Sequence, residues 1–371
     1  MSQLQSATIG CGQIFLGATP RVDRKAQEGQ GLAQAHTYLN TPTCGALRRV
    51  WRRENTLGLK FSVLQSSQER PVTVAQLIMR TAKRPFLSRT LVALALAAPC
   101  GAYAQELLRI PTTAPNNGRN FVEGMLTYPS APKSDKAYPA VILLHAGGGW
   151  EVPVTGQYAK ALNQVGFATV ELRLFRSESD RAPTRMGYLQ NLYDTLHFIG
   201  AGKDIDPDRV SVAGYSFGGI LALTSATSWA YERFGKASAQ KFAAHAPFYP
   251  VCYGYAAFAK AGRPTADLPG DLLVRWTGAP VRIFAGGKDD YDDRDPKACE
   301  ELVSLIPEPQ RSAFSVTLYT DATHGWDQPS ATFFEKLACK GRGCTNRNVA
   351  DPSITAKSIA DLVAFMSSHG R

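Results

Sequence analysis

Residues 208–223 read Asp208-Arg209-Val210-Ser211-Val212-Ala213-Gly214-Tyr215-Ser216-Phe217-Gly218-Gly219-Ile220-Leu221-Ala222-Leu223. Val210, Val212 and Ala213 form the short apolar run of a buried strand, and Ile220 to Leu223 open a helix. Between the two, Gly214 and Gly218 stand on either side of Ser216. A serine thrust forward on so tight a turn needs neighbours without a Cβ, because the incoming strand and the outgoing helix pass close to it. A chain this rich in glycine could carry the bare Gly-x-Ser-x-Gly pattern by chance. Strand before and helix after make it the context of a nucleophile elbow.

Outward from this stretch, apolar and amphipathic segments alternate. Residues 139–144 are continuously apolar, as in a central parallel strand covered on both faces, and they end in His145-Ala146-Gly147-Gly148-Gly149-Trp150. Residues 158–165 read as a helix, 167–170 as a strand and 173–184 as a loop, after which Leu189, Leu192, Tyr193 and Leu196 share one helix face. Beyond the elbow, 242–249 is a strand, 252–278 an insertion, and 281–285 a strand emptying into Gly286-Gly287-Lys288-Asp289-Asp290. A helix with Asp295 as N-cap and Pro296 in its first position is expected next. Residues 314–319 form the last expected strand. A final helix starts at Asp351 and Pro352 and places Ile359, Leu362, Val363 and Met366 on one face. Upstream, residues 105–120 carry Pro, Asn and Gly and predict irregular chain, with 121–128 as an edge strand. The alternation predicts an α/β fold: a mostly parallel sheet with helices on both faces, in one domain over 105–371.

The net charge of +10 invites a nucleic-acid reading, but residues 1–104 hold 13 Lys and Arg against 4 Asp and Glu, whereas residues 105–371 hold 28 against 27. The body that carries the elbow therefore lacks the sustained positive footprint nucleic acid requires. Residues 79–104 read as a secretory signal peptide: basic (Arg80, Lys83, Arg84, Arg89), then apolar over 91–98, then Ala102-Tyr103-Ala104 before Gln105. The apolar run is too short to span a bilayer. Residues 1–78 are expected to be a disordered or mis-assigned extension, with Met79 as the initiator, and the mature chain is expected to be periplasmic or secreted. Four cysteines then remain, Cys252, Cys299, Cys339 and Cys344, an even number that permits two disulfides: a small loop between Cys339 and Cys344, and Cys252 with Cys299. No zinc spacing is present.

A serine hydroxyl is a weak nucleophile and needs a base oriented by a carboxylate. On folds with such an elbow these arrive in the order Ser, acid, His, each at the carboxyl end of a strand. Of six histidines, His36 lies in the leader, His197 inside a helix, His245 inside a strand and His369 near the C-terminus. His145 precedes the elbow, so His324 is the expected base. Asp289 is the expected acid, with Asp290 as its rival in the run that continues to Asp292 and Asp293. That run lacks the glycine a calcium loop needs at its sixth position, where Arg294 stands. The developing oxyanion needs aimed N–H groups, expected from Phe217 and from Gly147, with Gly148 as the alternative. A nucleotide-phosphate role for the glycine loop has neither a GxGxxG nor a Walker lysine to support it.

Together, His145 to Trp150, Gly214-Tyr215-Ser216-Phe217-Gly218-Gly219, Phe248-Tyr249-Pro250-Val251-Cys252, Gly287-Lys288-Asp289-Asp290 and His324-Gly325-Trp326 make the chain resemble the dienelactone hydrolase family of α/β-hydrolases over most of residues 120–368. The resemblance implies an α/β-hydrolase fold and a cofactor-free hydrolase of small esters or lactones, with catalytic Ser216, Asp289 and His324. Founding members use Cys as nucleophile with a Glu in the loop after the early strand, where this chain has Ser216 and Ala146. They also carry an Arg shortly after the His, where this chain has Asp327 and Gln328. An ordinary Ser-His-Asp esterase is therefore expected. Trp150, Tyr249 and Trp326 are candidate pocket residues, with Phe217, Tyr253 and Tyr291 nearby. A serine peptidase of short peptides and a non-catalytic binding protein on the same fold are the competing readings.

Overall fold

The computed structural model describes residues 105–369 except 117, 130–136, 183, 237 and 238. The extension over 1–78 and the signal segment over 79–104 lie outside the described residues.

Residues Tyr138–Leu144 (β3, third in the chain after β1, Gln105–Asn116, and β2, Arg119–Thr127) explain where the core forms. Its residues Ala140, Val141, Ile142, Leu143 and Leu144 are fully buried. Strand side chains alternate between faces, so the run feeds two layers. Ala140, Ile142 and Leu144 pack with Leu189, Leu192 and Leu196 of α2 (Met186–Gly200) and Leu221 of α3 (Phe217–Ser225). Val141 and Leu143 pack on the other face with Tyr158 and Leu162 of α1 (Thr155–Gln164), and with Leu362, Phe365 and Met366 of the last helix, α6 (Pro352–His369). Each Val, Leu, Ile, Phe or Met among them contributes roughly 1.5–3 kcal/mol through burial, which is why a strand sandwiched between helices is apolar throughout rather than alternating.

The sheet is completed by β4 (Ala168–Arg173), β5 (Ile205–Tyr215), β6 (His245–Phe248), β7 (Val281–Gly286) and β8 (Phe314–Tyr319), in the order β1-β2-β4-β3-β5-β6-β7-β8. From β4 to β8 all neighbours are parallel; β1 and β2 are antiparallel additions at one end. The carboxyl ends of β5, β7 and β8 thus open on the same edge, which is what brings three distant chain segments together. A third apolar cluster joins α3, α4 (Cys252–Ala261), β7 and α5 (Ala298–Ser304) through Leu223, Cys252, Ile283, Cys299 and Leu302.

Four sequence expectations are corrected. Residues 105–120 are not irregular: most of them form β1, with Leu108 and Ile110 buried and paired to β2 from Gln105↔Thr127 to Pro111↔Phe121. Proline is tolerated because β1 is the outermost strand, where a missing N–H costs no ladder bond. The segment 121–128 is consequently not the edge, since β2 lies between β1 and β4. The helix expected from Asp295 starts at Ala298. Asp295 instead accepts from Lys297 N–H at 2.9 Å and holds Lys340 Nζ at 2.9 Å. Beyond β8 the chain adds an unanticipated antiparallel hairpin, β9 (Ala331–Glu335) with β10 (Cys344–Asn348). The Asp351 cap of α6 is as expected, its Oδ1 accepting from Ser353 and Ile354 N–H at 2.9 Å.

Candidate active site

β5 ends at Tyr215, α3 begins at Phe217, and Ser216 between them adopts φ 51° and ψ −110°. A non-glycine residue held there costs of order 1–3 kcal/mol and persists only where its surroundings impose it. Here Ser216 N–H donates to Phe248 O at 3.0 Å, and Ile220 N–H to Ser216 O at 2.8 Å. The flanking glycines are demanded by contact: a Cβ on Gly214 would stand 2.1 Å from Gly218 O, and one on Gly218 2.3 Å from Leu144 O.

His324 lies in the loop after β8 and Asp289 in the loop after β7. The imidazole Nδ1 is 2.8 Å from Asp289 Oδ2, and Nε2 is 2.8 Å from Ser216 Oγ. With the carboxylate accepting from Nδ1–H, Nε2 is left as the acceptor that faces the serine hydroxyl. Asp289 and His324 are buried at 1% and 2% exposure, and Asp289 Oδ1 also accepts from Tyr291 N–H at 2.8 Å. Two tyrosine rings flank the imidazole, Tyr249 edge-on with centroids 4.8 Å apart and Tyr291 at 4.3 Å. Past His324 the loop is fastened to the last helix: Trp326 O accepts from Asp351 N–H and Thr355 Oγ1, and Trp326 Nε1–H donates to Ser358 Oγ at 3.3 Å.

Of the aspartates in the acidic run, only Asp289 meets the imidazole. Asp290 accepts from Arg294 Nε at 2.7 Å and from Arg347 N–H of β10 at 2.9 Å, so it holds the hairpin. Asp292 accepts from Tyr253 N–H at 2.8 Å, and burial, with the nearby Asp289 charge, raises its pKa. Asp293 pairs with Arg342 at 2.6 Å. These carboxylates are committed to separate partners and do not converge on one point. His145 is also accounted for. It is buried, its ring joins Ala146 O at 2.9 Å and accepts from Leu174 N–H at 3.2 Å, and burial lowers its pKa to about 4. A neutral histidine thereby pins the glycine loop.

Ser216, Phe217, Gly147 and His324 line a cavity of about 960 Å³. Its other walls mix apolar groups, among them Ile220 of α3, Phe258 of α4, Leu268 and Phe333 of β9, with charged ones of both signs, Arg181 and Arg185 against Glu151, Glu178 and Glu335. Gly147 and Phe217 are adjacent, a Cβ on Gly147 falling 3.9 Å from Phe217 Cβ, and the Arg181 guanidinium sits over the Phe217 ring at 5.6 Å. Among the described residues neither the Gly147 nor the Phe217 N–H has a backbone acceptor.

The three aromatic pocket candidates do not line this cavity. Trp150 stacks under the Arg173 guanidinium at 4.5 Å beside a separate depression. Tyr249 and Trp326 are 1% and 0% exposed and pack behind His324, because their hydrogen-bonding ends turn to buried partners rather than to the opening. Tyr253 and Tyr291 do reach the cavity. Beyond Val251 and Cys252 the walls supplied by α4 and the hairpin carry no motif, and the disulfides are the remaining hint of them. Cys252–Cys299 ties α4 to α5, and Cys339–Cys344 closes the hairpin tip, in the expected pairing.

Residues 141–360 match the family described as the alpha/beta hydrolase family. The chain belongs to the α/β-hydrolase family. Among solved structures, this α/β-hydrolase is similar to a dienelactone hydrolase from Anabaena variabilis (16% identity, TM-score 0.46, covering 72% of this chain and 99% of that one). It is also similar to a fungal esterase from Rhizomucor miehei (16%, 0.48, 72% and 84%) and to an esterase from Pyrobaculum calidifontis (14%, 0.47, 71% and 85%). No curated protein matches it. In this α/β-hydrolase, Ala146 lines the cavity beside Gly147, and Asp327 is buried between two tyrosine hydroxyls.

Proposed function

We propose that this α/β-hydrolase is a serine hydrolase of small carboxylic esters or lactones that works through an acyl-enzyme. The observation that carries the reading is the hydrogen-bonded line Asp289–His324–Ser216, with both links at 2.8 Å, ending on the wall of a cavity lined by apolar and polar groups together. In this reading His324 Nε2 takes the Ser216 proton as Oγ attacks the carbonyl carbon, and Asp289 stabilises the imidazolium that forms. The oxyanion turns toward the N–H groups of Phe217 and Gly147. The first N–H groups of α3 have no partner within their own helix, and the helix dipole adds to their pull on negative charge. His324 then protonates the leaving alcohol. Water repeats the sequence on the acyl-enzyme, and the apolar walls receive the acyl or alcohol group.

Ser216→Ala should lower turnover of a short chromogenic ester by about 10⁴-fold or more while leaving the melting temperature near that of the parent. Retained turnover would remove Ser216 from this role. Amide and ester substrates of one acyl group, compared side by side, separate the esterase from a peptidase, and labelling by a fluorophosphonate separates either from a binding protein. The reading extends to an exported mature chain. Two disulfides support it, since such bonds persist in oxidising compartments, and N-terminal sequencing of the natural protein should find Gln105 first.

A further inference from the structure

Outside the cavity lining, three residues after His324, lies a carboxylate that the chemistry above does not use. Asp327 is 8% exposed, and its two oxygens each accept one tyrosine hydroxyl, Oδ1 from Tyr249 at 2.6 Å and Oδ2 from Tyr158 at 2.7 Å. A buried carboxylate is costly unless short, charge-assisted bonds offset its lost hydration, and burial here raises the Asp327 pKa to about 6. What the carboxylate holds is informative. Tyr249 has φ 35°, a left-handed conformation unfavourable to a bulky residue, and its ring stands edge-on to the His324 imidazole. Its N–H donates to Phe284 O at 2.7 Å, and its hydroxyl also accepts from Gln328 Nε2 at 3.1 Å. The residue before it, Phe248, supplies the carbonyl that accepts Ser216 N–H, and that oxygen lies 2.5 Å from where a Cβ on Gly219 would be. The Asp327–Tyr249 bond therefore joins the loop that carries the imidazole to the segment on which the elbow is seated.

We propose that Asp327 and Tyr249 form a positioning pair that sets the His324–Ser216 separation, an inference that rests on the serine chemistry proposed above. The bond spans the two parts whose relative placement decides proton transfer, and a misplacement of about 1 Å at such a contact costs on the order of 10²-fold in rate. Tyr158 provides an internal comparison. It donates to the same carboxylate, with its hydroxyl 2.9 Å from Ser358 Oγ, but from α1, and among the described residues it makes no ring contact with His324.

The test is steady-state kinetics on a soluble short-chain ester, with the labelling rate of Ser216 by a fluorophosphonate and the melting temperature, for Tyr249→Phe, Asp327→Asn, their double variant and Tyr158→Phe. Tyr249→Phe and Asp327→Asn should each lower kcat and the labelling rate by roughly 10- to 100-fold at a KM within about twofold of the parent. The double variant should be no slower than the slower single variant, because both remove one bond. Tyr158→Phe should melt earlier but keep kcat within about twofold. Parent-like kcat in Tyr249→Phe, or an equal loss in Tyr158→Phe, overturns the positioning role. If Asp327→Asn does not fold, Tyr249→Phe, which keeps the ring, decides alone. Ser216→Ala in the same assay keeps the two readings apart, since activity in that variant would overturn the serine chemistry itself.

Discussion

The two disulfides offer a sharp quantitative contrast. Cys252–Cys299 spans a sequence separation of 47 and Cys339–Cys344 one of 5. A cross-link restricts the unfolded chain by an entropy of about 2.1 + 1.5R ln n cal/mol/K, which at 25 °C corresponds to about 4 kcal/mol for the long loop and about 2 kcal/mol for the short one. Packing widens the gap. Cys252 and Cys299 are buried in the third apolar cluster, whereas Cys339 and Cys344 are only half-buried at the hairpin tip. Replacing each pair with alanine and following urea unfolding by fluorescence should therefore show the Cys252/Cys299 variant losing about twice the free energy of the Cys339/Cys344 variant. At roughly 2–4 °C per kcal/mol for a chain of this size, the melting temperatures should fall by about 8–16 °C and about 4–8 °C. Equal losses, or a larger loss at the hairpin, would refute both the loop-length argument and the assignment of the long bridge to the core.

Two further predictions follow from the site. Gly218→Ala places a methyl 2.3 Å from Leu144 O and 2.7 Å from His145 O, backbone atoms that cannot swing aside, so stability should drop by at least about 1–3 kcal/mol and ester turnover with it. A variant melting with the parent would show the elbow to be looser than described. Asp327 has a pKa of about 6 in the folded chain, against a reference value of 3.8. The folded state therefore holds a proton that the unfolded state has already released, and the resulting stability is complete below about pH 4 and lost as pH rises through about 6. By linkage this amounts to about 3 kcal/mol. Asp327→Asn, uncharged throughout, should flatten the fall of the urea midpoint between pH 4 and 6, and an unchanged slope would contradict the burial argument.

Much of this was legible in advance because the relevant signals are local. The apolar run of β3 and the Gly214 and Gly218 spacing each reflect a steric demand made within a few residues, and the Ser216, Asp289, His324 order follows once each is read at the carboxyl end of its own strand. What escaped was set by distant partners. β1 carries prolines that ordinarily break strands, and only its position at the end of the sheet makes them harmless. The β9–β10 hairpin is short and mostly exposed, and it is held in place by Asp290, which sits more than forty residues earlier and looked like a rival acid. Tyr249 and Trp326, expected in the pocket, are instead buried with their hydrogen-bonding ends on Asp327 and Ser358. Sequence position fixes proximity along the chain, and it cannot say which face of a ring is turned to solvent.

The attachment of Trp326 to Asp351, Thr355 and Ser358 has an implication for biosynthesis. The elbow and its supporting strands are complete once β6 has emerged, but the loop that carries the imidazole is fastened by α6, which is synthesised later. A chain halted before α6 would carry the elbow with the His324 loop unfastened, and on the proposed serine chemistry its reactivity would await the docking of the first two turns of that helix.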